Sequence, residues 1–132
     1  EATLQLYLYP EKAFRELPTL RLLATSAETL QQRCTQLLPR FRQTLCDLAE
    51  ITMTEATAPV GGGALPLAEM SGWVLACEPR SLSLNRLASN LRRAEVPVIG
   101  RIQDNQLLID PRTLASEDED LLLNTLKDAL IP

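Results

Sequence analysis

"PVIGRIQDNQLLIDPRTL", Pro97–Leu114, decides the fold. It reads as a β-hairpin, with an apolar run on each side of the polar turn "QDNQ", Gln103–Gln106. Strands joined by a tight turn run antiparallel, so a sheet built on this hairpin is at least partly antiparallel. Arg101 interrupts the first run. It follows Gly100, which permits close backbone approach, and Pro97, Val98 and Ile99, which read as buried. Two readings of Arg101 stay open on these residues alone. It is an edge-strand or salt-bridging arginine, or it projects from a rigid strand toward an anionic ligand, where its planar fork suits carboxylate or phosphate.

Beyond the hairpin, "SEDEDLLLNTLKDAL", Ser116–Leu130, reads as a helix. Ser116 and Glu119 have capping-box spacing, acidic residues fill the first turn, and Lys127 lies near the end. The run "EDED" is therefore a helix start rather than a metal site. Before the hairpin, "SLSLNRLASNLRRA", Ser81–Ala94, is an amphipathic helix with Leu84, Leu87 and Leu91 on one face. Arg92 and Arg93 near its end read as a solvated helix terminus.

Further upstream, "GWVLACEP", Gly72–Pro79, is a short buried strand, with Cys77 a small core residue. "CDLAEITMTEA", Cys46–Ala56, changes to strand period, and "TAPVGGGALPL", Thr57–Leu67, is loop by composition. The triplet Gly61, Gly62 and Gly63 is a flexible loop or a loop that approaches a ligand. It lacks the Lys-Ser/Thr of a phosphate-binding loop and the flanking elements of a dinucleotide fingerprint. "TSAETLQQRCTQLLPRFRQTL", Thr25–Leu45, is a long helix capped by Ser26, with Pro39 expected to kink or end it. "LPTLRLLA", Leu17–Ala24, is a short helix, and residues 1–9 are the tail of another, stopped by Pro10.

The order helices, strand, strand, helix, hairpin, helix predicts an α+β two-layer sandwich, a small, mainly antiparallel sheet covered by helices. One domain over residues 1–132 is expected, helical over 1–46 and mixed over 47–132. At 132 residues and 14.6 kDa the length suits this. Hydrophobic residues make up 45% and charged residues 23%, an ordinary globular composition with no bilayer-length apolar run. The opening "EATLQLYLYP" has no initiator Met and suggests a longer parent chain.

The net charge of −4 argues against a freestanding nucleic-acid binder, although local basic patches remain compatible with it. Cys34, Cys46 and Cys77 are too few and too scattered for a disulfide framework, and reduced thiols fit a cytoplasmic protein. Without histidine, imidazole acid–base chemistry is absent from this chain, and no metal site is expected.

"EATLQLYLYPEKAFRELPTLRLLATSAETLQQR", "GGGALP", "PVIGRIQDNQLLIDPRTL" and "EDEDLLLNTLKDAL", in that order, resemble the carboxy-terminal part of bacterial selenocysteine synthase, the L-seryl-tRNA(Sec) selenium transferase family. The resemblance covers essentially the whole chain, and the Pro-Val-Ile-Gly-Arg hairpin with Asp-x-Arg-Thr-Leu is its most specific part. It implies the C-terminal small domain of an aminotransferase-like, fold-type I pyridoxal-phosphate enzyme. That family converts seryl-tRNA(Sec) to selenocysteinyl-tRNA(Sec), with selenophosphate as donor, by eliminating the seryl hydroxyl and adding selenium.

The resemblance further implies that the cofactor lysine lies upstream, so this chain alone holds no catalytic residue, binds no cofactor and is inactive. It implies a homo-oligomeric full-length enzyme and no membrane partner. Arg101 becomes the substrate-side candidate, Arg92 and Arg93 candidate RNA contacts, and Gly61, Gly62 and Gly63 a loop near the active site; Arg112 matches a family arginine, while Pro111 departs from the commoner leucine. Gly62 and Ala64 stand where family members usually carry hydroxyls. Two rivals make different predictions. A stand-alone partner-binding module needs no upstream catalytic region, and the small domain of another pyridoxal-phosphate enzyme would act on free amino acids without tRNA.

Overall fold

The hairpin forms where the sequence places it, with a tighter turn and a shorter first strand. In a computed structural model describing residues 4–5, 7–60 and 65–131, β3 spans Arg101–Gln103 and β4 spans Gln106–Ile109. Asp104 and Asn105 join them with φ of 49° and 59°. Two successive residues in the left-handed region suit the turn that matches strand twist, and Asp and Asn tolerate that region better than other side chains.

Two longer strands precede them, β1 (Ala49–Val60) and β2 (Leu65–Pro79). The four make one sheet in the order β1-β2-β4-β3, with every neighbouring pair antiparallel. Five helices are assigned among the described residues: α1 (Pro10–Glu16), α2 (Pro18–Ala24), α3 (Ala27–Leu45), α4 (Leu84–Arg93) and α5 (Glu119–Leu130). Two short 3₁₀ turns, Pro111–Thr113 and Ser116–Asp118, lead from β4 into α5. This is the expected α+β arrangement.

Helix caps follow side-chain chemistry. Ser26 Oγ accepts the backbone N–H of Thr29 (3.2 Å) at the start of α3, and Ser83 Oγ accepts that of Arg86 (3.3 Å) at the start of α4. The apolar stripes of α3, α4 and α5 then meet one face of the sheet. Leu37, Phe41 and Leu45 from α3, Leu87 and Leu91 from α4, and Leu122, Leu126 and Leu130 from α5 pack with Ile51, Leu75, Cys77, Leu107 and Ile109. Each such large side chain contributes about 1.5–3 kcal/mol on burial. On the opposite face, among the described residues, Val74, Ala76 and Leu108 form a small buried cluster, with Ala56 against it.

Four local readings change or extend, for identifiable reasons. Pro39 does not end α3, which runs on to Leu45. Pro39 is exposed, so its missing N–H costs one bond on the solvent side while Leu37, Phe41 and Leu45 stay anchored in the core. Pro10 opens α1 rather than only closing what precedes it. Its fixed φ and absent donor suit the first turn.

Most of Thr57–Leu67 is strand rather than loop, since β1 reaches Val60 and β2 begins at Leu65. β1 is an edge strand, where proline is tolerated, and the register shifts between Pro59 and Val60. Finally, Ser116 and Glu119 make no capping box. Ser116 sits in a 3₁₀ turn, the α5 cap at Asp118 has no side-chain bond, and Glu119 instead accepts from Arg33 Nη2 at 2.8 Å. A buried-side partner on α3 outcompetes the local one.

Candidate functional site

Leu75↔Ile109 is the last rung that β2 shares with β4, and Arg101↔Leu108 is the end rung between β3 and β4. Past these rungs the chain on either side diverges. Val96–Gly100 approaches β3 without regular structure, while Asp110–Leu114 leaves β4 through a 3₁₀ turn. Between them opens a cavity of about 560 Å³, also walled by Ala58 and Val74 of the long hairpin and by Leu121 of α5. Cavities of about 300–1,000 Å³ with mainly apolar walls and a few polar groups are the usual form of a small-ligand site. The burial expected of Pro97, Val98 and Ile99 does not hold: Pro97 is exposed, Val98 is half-buried, and Ile99, at the rim, is 83% exposed.

Arg101 lies on this rim. Its Nη1 donates to the carbonyl of Thr57 (2.7 Å), and this is the guanidinium's single hydrogen bond among the described residues. Thr57 pairs with Ser71, four residues beyond Leu75, so the outer hairpin must lean over the open face for its carbonyl to meet β3. Asp110 and Asp118 line the same cavity. Two carboxylates against one guanidinium give the charged lining a net negative character, which weakens any simple anion pocket centred on Arg101.

Arg112 does the matching job from the other side. It is 9% exposed, and its Nη2 donates to the carbonyl of Ser71 (3.2 Å). The two arginines therefore hold both members of one rung, Thr57 and Ser71. Arg112 is placed by Asp110, whose carboxylate accepts the Arg112 backbone N–H at 2.9 Å and stands 3.9 Å from Nη1. Its Nε is buried without a partner among the described residues, a desolvation cost that the other bonds must offset.

Gly72 makes room for this side chain. A Cβ there would stand 2.8 Å from Arg112 Nη2 and 2.7 Å from Leu30 Cδ1. Gly100 has the corresponding function at the hairpin, where a Cβ would lie 2.7 Å from Leu107 Cδ1. Behind the cavity, Arg33 of α3 pins the β4–α5 connection. Its Nη1 donates to the carbonyls of Pro111 (2.7 Å) and Leu114 (2.8 Å), in addition to the bond with Glu119. Arg40 pairs with Asp120 farther along the same helix.

The cysteines are free, with Cys34 and Cys77 buried and Cys46 exposed. Burial pushes the Cys34 thiol up to about 11, with the Asp110 carboxylate adding to the effect and Arg33 opposing it. Burial alone pushes Cys77 up to about 12. Both are inert core thiols at neutral pH. Among the described residues no cluster of three metal-ligating side chains occurs, and no helix is long and apolar enough to cross a membrane.

The sequence-predicted residues separate. Arg101 reaches the cavity, Arg92 and Arg93 lie exposed at the end of α4 and do not line it, and Gly61, Gly62 and Gly63 lie outside the described residues. Arg112, Asp110, Gly72 and Arg33 carry the architecture that residue reading alone passed over. The "DPR" triplet was the available signal, since an aspartate before proline commonly accepts from a backbone N–H two residues on. A pyridoxal-phosphate site does not fit this chain's own residues. Its two lysines, Lys12 and Lys127, are exposed on helix surfaces, and Lys12 pairs with Glu16 at 4.0 Å.

Comparison with known proteins places this architecture. The L-seryl-tRNA selenium transferase family model matches residues 1–115. An L-seryl-tRNA(Sec) selenium transferase of Desulfovibrio desulfuricans is 37% identical over 98% of this chain and 28% of its own length. Proteins of the same name from Geobacter sulfurreducens and Moorella thermoacetica are 36% and 35% identical over 97% and 98% of the chain. Each of these is likewise matched over 28% of its length, so the chain spans little more than a quarter of such relatives. With the match running through the hairpin, the Arg101 rim and the Asp110–Arg112 turn, this chain belongs to the L-seryl-tRNA selenium transferase family.

Proposed function

We propose that this chain is the C-terminal small domain of a cytoplasmic, homo-oligomeric, pyridoxal-phosphate-dependent enzyme that converts seryl-tRNA(Sec) to selenocysteinyl-tRNA(Sec) with selenophosphate. The observation that carries the reading is the family match over residues 1–115, backed by relatives named for that reaction. The cofactor would act as electron sink for loss of the seryl hydroxyl and gain of selenium. Its lysine belongs to the part of the enzyme outside this chain, in keeping with the exposed positions of Lys12 and Lys127.

The residues present here support, wall and orient. The helix-covered face gives a rigid base. The open face presents a cavity whose rim carries Arg101, with only Nη1 committed to Thr57 among the described residues. The remaining nitrogens of the fork face the 3′-terminal phosphate or sugar of the aminoacyl-tRNA, because the seryl carboxyl is esterified and offers no carboxylate to clamp. Gly61, Gly62 and Gly63 would contribute no catalytic side chain there.

The test is turnover by the full-length protein supplied with pyridoxal phosphate, selenophosphate and seryl-tRNA(Sec). Selenocysteinyl-tRNA(Sec) should form, and free serine should not react. Processing of free serine or cysteine without tRNA would replace this reading by that of an amino-acid enzyme. The 132-residue chain by itself should give no cofactor-derived absorption band when pyridoxal phosphate is added. A borohydride-stable adduct at one specific lysine would contradict that.

A further inference from the structure

The stretch Arg80–Arg93 holds four arginines and no acidic residue, in a chain of net charge −4. Arg86, Arg92 and Arg93 project from α4, whose buried face is Leu87, Ala88 and Leu91. At 3.6 residues per turn Arg86, Ser89 and Arg93 line up on the outward side, with Asn85 and Arg92 flanking them, and Arg86 and Arg93 about 10 Å apart along the axis. All four arginines are exposed, and none lies in an ion pair among the described residues. Glu95 and Asp128 share a shallow depression with Arg93 without pairing to it.

Helix stability does not explain Arg86. It occupies the third position of α4, where Ser83 caps its backbone N–H. A capping box places glutamate or glutamine there, and the helix dipole disfavours a cation in the first turn. Arg92 and Arg93 complement the dipole at the C-terminal end, whereas Arg86 runs against it. The cationic stripe spans the helix regardless of which end favours it.

We propose that this face of α4 binds the phosphate backbone of RNA. The inference rests on the tRNA-dependent reading above and adds the surface that would hold the tRNA. Arginine forks make charge-assisted, bidentate bonds to phosphate, and the interleaved Ser89 and Asn85 reach phosphate oxygens or 2′-hydroxyls. Such contacts position an RNA without reading its sequence.

The experiment is binding of tRNA(Sec) and of an elongator tRNA by the full-length enzyme across a salt series. The proteins compared are wild type, Arg86→Gln/Arg93→Gln, Arg86→Glu, and Arg21→Gln as an exposed arginine off this face. The double variant should make the salt dependence shallower by about 2 in slope, equally for both RNAs. Arg86→Glu should weaken RNA binding while its melting temperature holds or rises, because glutamate completes the Ser83 capping box and suits the dipole. Arg21→Gln should behave as wild type.

Unchanged slopes in both α4 variants would overturn the proposal, and continued turnover of seryl-tRNA(Sec) by the wild type would leave the enzyme reading intact. RNA loss that appears only together with loss of folding would also overturn it. A wild type that neither binds nor processes seryl-tRNA(Sec) would remove both.

Discussion

The two faces of one sheet are built on different terms. The covered face buries three helical stripes against Ile51, Leu75, Cys77, Leu107 and Ile109. The open face has, among the described residues, a small buried cluster of Val74, Ala76 and Leu108, borders a cavity of about 560 Å³, and carries two arginines that hold a hairpin rung through backbone carbonyls. Apolar burial is non-directional and tolerates repacking, whereas hydrogen bonds to single carbonyls fix position. The first face therefore supplies stability. The second supplies geometry.

The sharpest test of that contrast is deletion of apolar volume on each side. Phe41→Ala, at the fully buried centre of the covered face, should cost about 3–5 kcal/mol in denaturant unfolding. Leu108→Ala on the open face should cost about 2 kcal/mol, since the neighbouring cavity already leaves part of its surroundings unpacked. Equal losses would erase the distinction.

Gly72→Ala should cost about 1–2 kcal/mol, because its Cβ collides with Arg112 Nη2 and Leu30 Cδ1 and must displace one of them. An unchanged melting temperature would mean that Arg112 is free to move and does not anchor the hairpin.

Alkaline pH probes the covered face alone. Cys34 and Cys77 hold their protons to about 11 and about 12, against an ordinary 9.0. Below pH 9 both folded and unfolded chains keep these protons, and the thiols add no pH dependence. Between pH 9 and about 11 the unfolded chain releases what the folded chain retains, so stability should fall as pH rises. Replacing both cysteines by alanine should flatten that limb. At pH 8, a thiol reagent should label Cys46 in the folded protein and reach the other two only on unfolding.

What could be read from the sequence follows the same division. The covered face was legible because leucine periodicity in Ala27–Leu45 and Leu84–Arg93 and the "QDNQ" turn are local signals, with Ser26 marking a helix start. The long strands were not, because "TAPVGGGALPL" has loop composition, while the strand state of residues 57–60 and 65–67 rests on cross-strand pairing. The capping box at Ser116 failed for a related reason, as Arg33, 86 residues away in sequence, takes Glu119.

At the open face, Arg101 was visible by its place after Gly100, but its bond to Thr57 was not. Arg112 and Gly72 form a pair only once β2 and the turn after β4 lie side by side. Local periodicity carries a core. It does not carry a site assembled from separated turns.

The most direct measurement is selenium transfer by the full-length enzyme carrying Arg101→Ala. If the open face supplies geometry to the reaction, kcat/KM should fall about tenfold to a hundredfold, as misplacement of a positioning group does. Because the covered core is untouched, the variant should remain cooperatively folded. Wild-type transfer by that variant would contradict the account and reduce Arg101 to a rim contact with Thr57.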